Sequence, residues 1–189
     1  MKMNAEMEKQ LSKVQVGFSR FVHDILPIAN AKVGVPVAPP TVQVLIVPES
    51  YWPNLRNNVW SKGVREEEWM SVKAVAVYTP ASFEVRLRAL TELQQKDHTH
   101  NYDRDIDYNA VIFLRQGTPT KGEEEHAVLE IYATLASACF SLAIATMFRR
   151  YSVCPIANPF EDKNAEEAMG TLTATLTPEQ FAQLYGPED

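Results

Sequence analysis

The run IYATLASACFSLAIATMF, Ile131–Phe148, contains eighteen residues without a charge. Acidic residues precede it at Glu123–Glu125, and Arg149 and Arg150 follow it, which suits the dipole of a helix. Its length is at the lower limit for a bilayer span. However, four Ser or Thr residues and five alanines make it only moderately apolar, and a helix that is apolar on all sides is typical of a buried core. We therefore predict one long buried central helix, from about residue 123 to residue 150.

Runs rich in β-branched residues predict the strands. The run TVQVLIVP, Thr41–Pro48, does not alternate in polarity, so we expect a strand that is buried on both faces. Similar runs lie at Ser71–Tyr78 and at Asn109–Gly117. The run GTLTATLT, Gly170–Thr177, alternates apolar residues with threonines, which indicates a half-exposed edge strand.

Helical patterns lie between these strands. Residues 1–31 predict an amphipathic N-terminal helix that Pro27 ends, and Gly17 within it indicates a close approach of another element. Residues 81–95 fit a helix, but their alternation also fits a strand.

The C-terminal segment TPEQFAQLYG carries the signature of a short capped helix. Thr177 is the expected N-cap and Pro178 the first helical residue, while Gln180 completes a capping box and Gly186 ends the helix.

Helices that alternate with strands favour an α/β (or α+β) fold. We expect a single globular domain over residues 1–189, with a small mixed sheet of about four strands packed by helices and one long buried central helix near the C-terminal half. Residues 151–169 are interpreted as a Pro-punctuated linker to a C-terminal strand and helix.

The charge and the N-terminus restrict the class of function. With 24 acidic and 18 basic residues, the chain has a formal net charge of −6, which disfavours nucleic acid or an anionic membrane as the main ligand. The N-terminal segment MKMNAEMEKQLSK has charges where a signal peptide requires an apolar segment, so we expect a cytoplasmic protein.

The stretch KDHTHNYDRDID, Lys96–Asp107, is the strongest candidate for chemistry. His98 and His100 lie two residues apart and point to one side of an extended segment, and Asp103 and Asp105 share that spacing. Such a set can hold zinc, manganese or iron. Loops rich in Asp, Asn and His also form simply because these residues satisfy backbone groups in turns. We interpret the stretch as a polar loop first and a metal site second.

Three tryptophans lie within residues 49–70. Tyr51, Trp52 and Trp60 stand among polar neighbours and are the candidate interaction residues, because aromatic anchors carry much of the binding energy at protein interfaces. The alternative is that these rings cover one end of the sheet. Trp69 directly precedes a strand, so we expect it in the core.

Two runs suggest a family. ACFSLAIAT, Ala138–Thr146, resembles the small-residue end of the central helix in flavin-dependent nitroreductases, and APPTVQVLIVPES, Ala38–Ser50, is similar in placement to their early strand. Ser141 and Ala143 stand where the family's helix end contains glycine. The resemblance implies an FMN-binding dimer.

No catalytic set stands out in the sequence, so we expect a non-catalytic accessory or assembly protein that binds a protein partner or forms a homo-oligomer, without a cofactor. The alternative is a small cytosolic enzyme, either an FMN-dependent oxidoreductase or a divalent-metal enzyme that uses the 98–107 loop.

Overall fold

The computed structural model describes residues 5–36, 40–59, 65–78, 110–116, 124–150 and 152–186. Six helices lie in these residues: α1 (Ala5–Val33), α2 (Trp52–Val59), α3 (Glu66–Trp69), α4 (Glu124–Phe148), α5 (Lys163–Thr173) and α6 (Pro178–Tyr185). The described strands are β1 (Val42–Val47), β2 (Ala74–Tyr78), β3 (Ala110–Arg115) and β4 (Ser152–Ile156), and a 3-10 turn spans Pro159–Glu161.

The four strands form one mixed sheet in the order β1-β3-β2-β4. β1 and β3 are parallel, with Leu45 opposite Phe113. β2 is antiparallel to β3 and to β4, so Val75 lies between Phe113 and Pro155. The α/β class and the mixed four-stranded sheet are confirmed, and the described elements form a single domain.

Alternate strand residues point into two separate cores. On the first face, Val44 and Ile112 pack with residues of α1, α4, α5 and α6. On the second face, Leu45, Val75 and Phe113 pack with residues of α2 and α3. A strand whose two faces are both covered is apolar along its whole length. The prediction that the first strand is buried on both faces is therefore confirmed.

α4 is the central helix of the first core. Leu135, Ala136, Cys139 and Leu142 are at most 1% exposed. The window Glu130–Phe148 has the length and composition of a membrane span, but 72% of it is buried inside the fold. The predicted buried helix is thus confirmed, and its burial supports a soluble protein.

Two threonine hydroxyls of α4 are satisfied within the helix itself. Thr134 Oγ1 donates to the Glu130 carbonyl and Thr146 Oγ1 donates to the Leu142 carbonyl, each at 2.7 Å. Because a buried hydroxyl is costly only when it lacks a partner, these threonines are compatible with the apolar core.

The prediction that Pro27 ends the first helix is wrong, because α1 continues to Val33 with Pro27 inside it. Proline removes one backbone hydrogen bond, but Leu26 and Ala29 on either side of it are buried in the first core. The helix ends instead at Gly34, where φ is 85° and the amide donates to the Asn30 carbonyl at 2.9 Å. A positive φ of this kind favours glycine.

The prediction that residues 151–169 form an irregular linker is also wrong. It contains β4, the 3-10 turn and the first half of α5. Pro155 is tolerated in β4 because that strand lies at the edge of the sheet.

The predicted edge strand Gly170–Thr177 is wrong as well, because residues 163–173 form α5. Asp162 caps this helix by accepting from the Ala165 amide at 3.1 Å. Ala165 and Ala168 are buried, and Leu172 packs against the same core four residues further on. The residues that face the core are thus spaced as in a helix, and this spacing outweighs the alternating threonines that had indicated a strand.

The C-terminal helix and the close approach at Gly17 are confirmed. Thr177 accepts from the Gln180 amide at 3.1 Å and Gln180 reaches back to the Thr177 amide at 2.8 Å, which forms the capping box. A Cβ at Gly17 would collide with the carbonyl group of Tyr185, and it would lie 2.8 Å from the carbonyl carbon. Glycine therefore lets α1 and the end of α6 come together.

Candidate functional site

The tryptophan cluster at one end of the sheet is buried. Trp52 and Trp69 stack with ring centroids 4.6 Å apart and an interplanar angle of 18°. Trp69 Nε1 donates to the Trp52 carbonyl at 2.9 Å, and Trp52 Nε1 donates to the Trp69 carbonyl at 3.4 Å. Both indole N–H groups thus have partners, which is what buried tryptophans require. The pair ties α2 to α3 over the second face of the sheet.

Arg115 closes this cluster from the end of β3. Its guanidinium makes a bidentate contact with Glu49, with Nε and Nη2 each 2.9 Å from a carboxylate oxygen. Nη1 donates to the Met70 carbonyl at 2.8 Å, and the guanidinium carbon lies 5.5 Å from the centroid of the Trp52 ring. The arrangement fixes the ends of β1, β3 and α3 relative to one another, which is a structural role.

Of the candidate interaction residues, the structure describes Tyr51 and Trp52, and neither of them lies on the surface. Tyr51 and Trp52 are each 1% exposed. This burial favours the alternative that the rings cover one end of the sheet, and Trp69 in the core is confirmed. Trp60 lies outside the described residues, so its role as an anchor stays a prediction.

The candidate metal ligands His98, His100, Asp103 and Asp105 lie outside the described residues, as does the 81–95 segment. Within the described ranges, no group of three or more His, Cys, Asp and Glu residues is placed to hold a metal ion. The run 138–146 that resembles nitroreductases lies in α4, mostly within the first core. The metal and FMN alternatives stay predictions, which elemental analysis and the absorbance spectrum of the purified protein test.

Two buried tyrosines join α1, α4 and α6. Tyr132 donates to the Tyr185 carbonyl and Tyr185 donates to Asp24, both at 2.8 Å. Burial raises the pKa of Tyr132 to about 12, and burial followed by the Asp24 hydrogen bond raises the pKa of Tyr185 to about 12. Both hydroxyls stay protonated at neutral pH, and their hydrogen bonds join the three helices.

The last turn of α4 exposes a group of large apolar side chains. Ile144 is 48% exposed, Met147 41% and Phe148 65%. Their spacing of three and four residues puts them on one side of the helix. We call these three residues, with Arg149 and Arg150, the α4-end surface.

The backbone fixes the basic end of this surface. The Arg149 amide donates to the Thr146 carbonyl at 3.2 Å and the Arg150 amide donates to the Ala145 carbonyl at 3.4 Å, so the helix is closed by its own carbonyls. Arg149 has a φ of 51°, and both arginines are exposed. The two cations therefore stand directly beside the three apolar side chains.

Sequence reasoning missed this surface because it treated residues 131–148 as one buried run. A signal was present, since Ile144, Met147 and Phe148 lie at helical spacing immediately before Arg149 and Arg150. An apolar stripe that meets a pair of charges indicates the place where a buried helix reaches solvent.

The chain was compared with protein-family models, curated proteins and solved structures, and nothing in any of the three matches it.

Proposed function

We propose that this protein is a non-catalytic accessory or assembly protein of the cytoplasm, and that it binds another protein molecule through the α4-end surface. The observation that carries the proposal is the exposure of Ile144, Met147 and Phe148 side by side at the end of a helix whose residues 132–140 are all buried. Contiguous exposed apolar side chains with a polar rim are typical of interaction sites.

The composition of the surface supports a protein partner. Phenylalanine, methionine and arginine are enriched in protein interfaces relative to the rest of the surface. Burying the three apolar side chains supplies affinity in proportion to the area removed from water. Arg149 and Arg150 add orientation and selectivity, because complementary charge mainly governs which partner docks and how fast.

The helix that carries the surface also offers a rigid platform. α4 packs against α1, the sheet and α5, so its last turn is held in place before any partner arrives. A surface that is already ordered loses little conformational entropy when it binds.

Photo-cross-linking in the cells that express the protein tests the proposal. A benzophenone amino acid replaces Phe148 in the full chain, and the matched control carries the same group at Val16, which is 60% exposed on α1. We expect a discrete protein adduct from position 148 and none of that size from position 16. Equal, diffuse labelling from both positions would overturn the proposal.

A second test uses fractionation. Because most of the apolar window of α4 is buried, we expect the protein in the soluble fraction without detergent. Recovery only from washed membranes would contradict the cytoplasmic assignment.

A further inference from the structure

A second exposed surface carries the opposite charge. Glu66, Glu67 and Glu68 form three of the four residues of α3 and are all exposed. Met70, which directly follows the helix, is 57% exposed. Although Arg65 pairs with Glu68 at 3.1 Å, three glutamates against one arginine leave the segment negatively charged. We call residues 65–70 the acidic turn.

The exposed apolar side chains of the described residues concentrate on these two surfaces. Five large hydrophobic residues are exposed in the described ranges, and four of them belong to the α4-end surface or to the acidic turn. One surface combines its apolar side chains with two arginines, and the other combines a methionine with glutamates. Both surfaces thus offer apolar contact, and their charges are opposite.

The two surfaces cannot meet within one molecule. The acidic turn leads into the start of β2 at Ala74, whereas α4 leads into Ser152, which pairs with the end of β2 at Tyr78. The strand between them has five residues, or about 17 Å. In addition, α4 packs on the first face of the sheet, whereas α3 packs on the second face through Trp69. The two surfaces therefore belong to elements on opposite faces of the sheet.

We propose that the partner of the α4-end surface is a second copy of this chain, which presents its acidic turn. Phe148 and its apolar neighbours then pack against Met70 of the second copy, while Arg149 and Arg150 face Glu66 and Glu67. This inference rests on the proposed function, because it names the partner of the same surface. The contact joins two different surfaces of the chain, so it either closes reciprocally in a two-fold dimer or continues head to tail into a larger assembly.

A charge exchange tests this contact in the full chain. One variant carries Arg149→Glu and Arg150→Glu, and the other carries Glu66→Lys and Glu67→Lys. Either variant alone has two surfaces of like charge, so we expect its self-association to be at least about tenfold weaker than that of the wild type. In an equal mixture, each kind of surface again meets its opposite, so we expect association to return.

Sedimentation velocity over a range of concentrations provides the readout, and circular dichroism verifies that both variants are folded. We expect the wild type to self-associate as concentration rises, and the association to weaken at high salt because screening reduces the charge contribution. A wild type that stays monomeric overturns the inference, and so does a mixture of the variants that fails to associate.

The cross-linking experiment separates the two levels of the proposal. An adduct of two copies, with the second copy labelled within residues 65–71, supports both. An adduct with a different protein alone leaves the proposed function intact and overturns the second copy as its partner. Equal labelling from positions 148 and 16 overturns both.

Discussion

In the tryptophan cluster and at the end of α4, the exposure of a large side chain is the opposite of what the polarity of its sequence neighbours suggests. Trp52 stands among polar residues of the sequence at the start of the short helix α2, yet it is 1% exposed. Phe148 ends an uncharged run of eighteen residues, yet it is 65% exposed. The polarity of the sequence neighbours therefore does not decide whether a large side chain is buried. The lengths and packing of the elements decide it.

The exposure of the α4 end follows from the dimensions of the fold. α4 has 25 residues and spans roughly 37 Å at about 1.5 Å per residue. The strand β2, against which it packs, has five residues and spans about 17 Å. The helix is thus longer than the sheet beneath it, and only one side of its last turn is covered: Ala145 and Thr146 are buried, whereas Met147 and Phe148 are exposed.

The tryptophan cluster is buried for a different reason. Each indole N–H reaches the main-chain carbonyl of the other tryptophan, and Arg115 holds the adjacent Glu49 and the end of α3. These bonds let short helices cover the second face of the sheet while both indole N–H groups and the Arg115 guanidinium keep partners.

The largest expected effect lies in the tryptophan cluster. Because Trp52→Ala leaves a cavity beneath Trp69 and removes a large apolar surface, we expect a loss of about 3–5 kcal/mol in the free energy of unfolding. Urea denaturation followed by circular dichroism measures it. Trp52→Phe is the control and should lose less, since much of the ring volume remains. If Trp52→Ala leaves stability unchanged and abolishes association, the cluster is a binding interface and not part of the core.

A second expected effect concerns alkaline pH. In the folded state the pKa of Tyr132 is about 12, against 10.0 for an unperturbed tyrosine. The unfolded state therefore loses its proton first, so the contribution of this group is complete below pH 10 and disappears as pH rises toward 12. We expect Tyr132→Phe to flatten part of this decline, although it starts from a lower stability because the bond to the Tyr185 carbonyl is lost. An identical decline in wild type and variant would show that Tyr132 is not buried.

A smaller effect is expected where α1 meets α6. A Cβ at Gly17 collides with the carbonyl group of Tyr185, so we expect Gly17→Ala to cost about 1–3 kcal/mol through overpacking. Gly170→Ala is the matched control, since it lies in α5 with no atom within 4 Å of an added Cβ. That change should stabilise the protein by up to about 1 kcal/mol through helix propensity. Equal effects at the two positions would contradict the close contact.

Local signals in the sequence predicted a large part of this fold. The capping box of Thr177 and Gln180 and the close approach at Gly17 depend on neighbours in the chain or on the special size of glycine, and both are confirmed. The uninterrupted apolar runs likewise predicted β1 and the buried part of α4.

Tertiary packing decided the features that the sequence did not predict. Pro27 is tolerated inside α1, where the neighbouring residues are buried. The alternating threonines of residues 170–177 suggested a strand, but Ala165, Ala168 and Leu172 face the core at helical spacing, so residues 163–173 form α5. The exposure of Phe148 was missed because residues 131–148 were treated as one buried run, although Ile144, Met147 and Phe148 lie at helical spacing before Arg149 and Arg150.

The most direct test of the α4 end is a urea unfolding titration of Phe148→Glu beside the wild type. If Phe148 lies outside the core and is free to bind a partner, the charged residue meets water, and the free energy of unfolding should stay within about 0.5 kcal/mol of the wild type. A loss of about 2 kcal/mol or more would mean that Phe148 is packed inside the fold, which would contradict a binding surface at the end of α4.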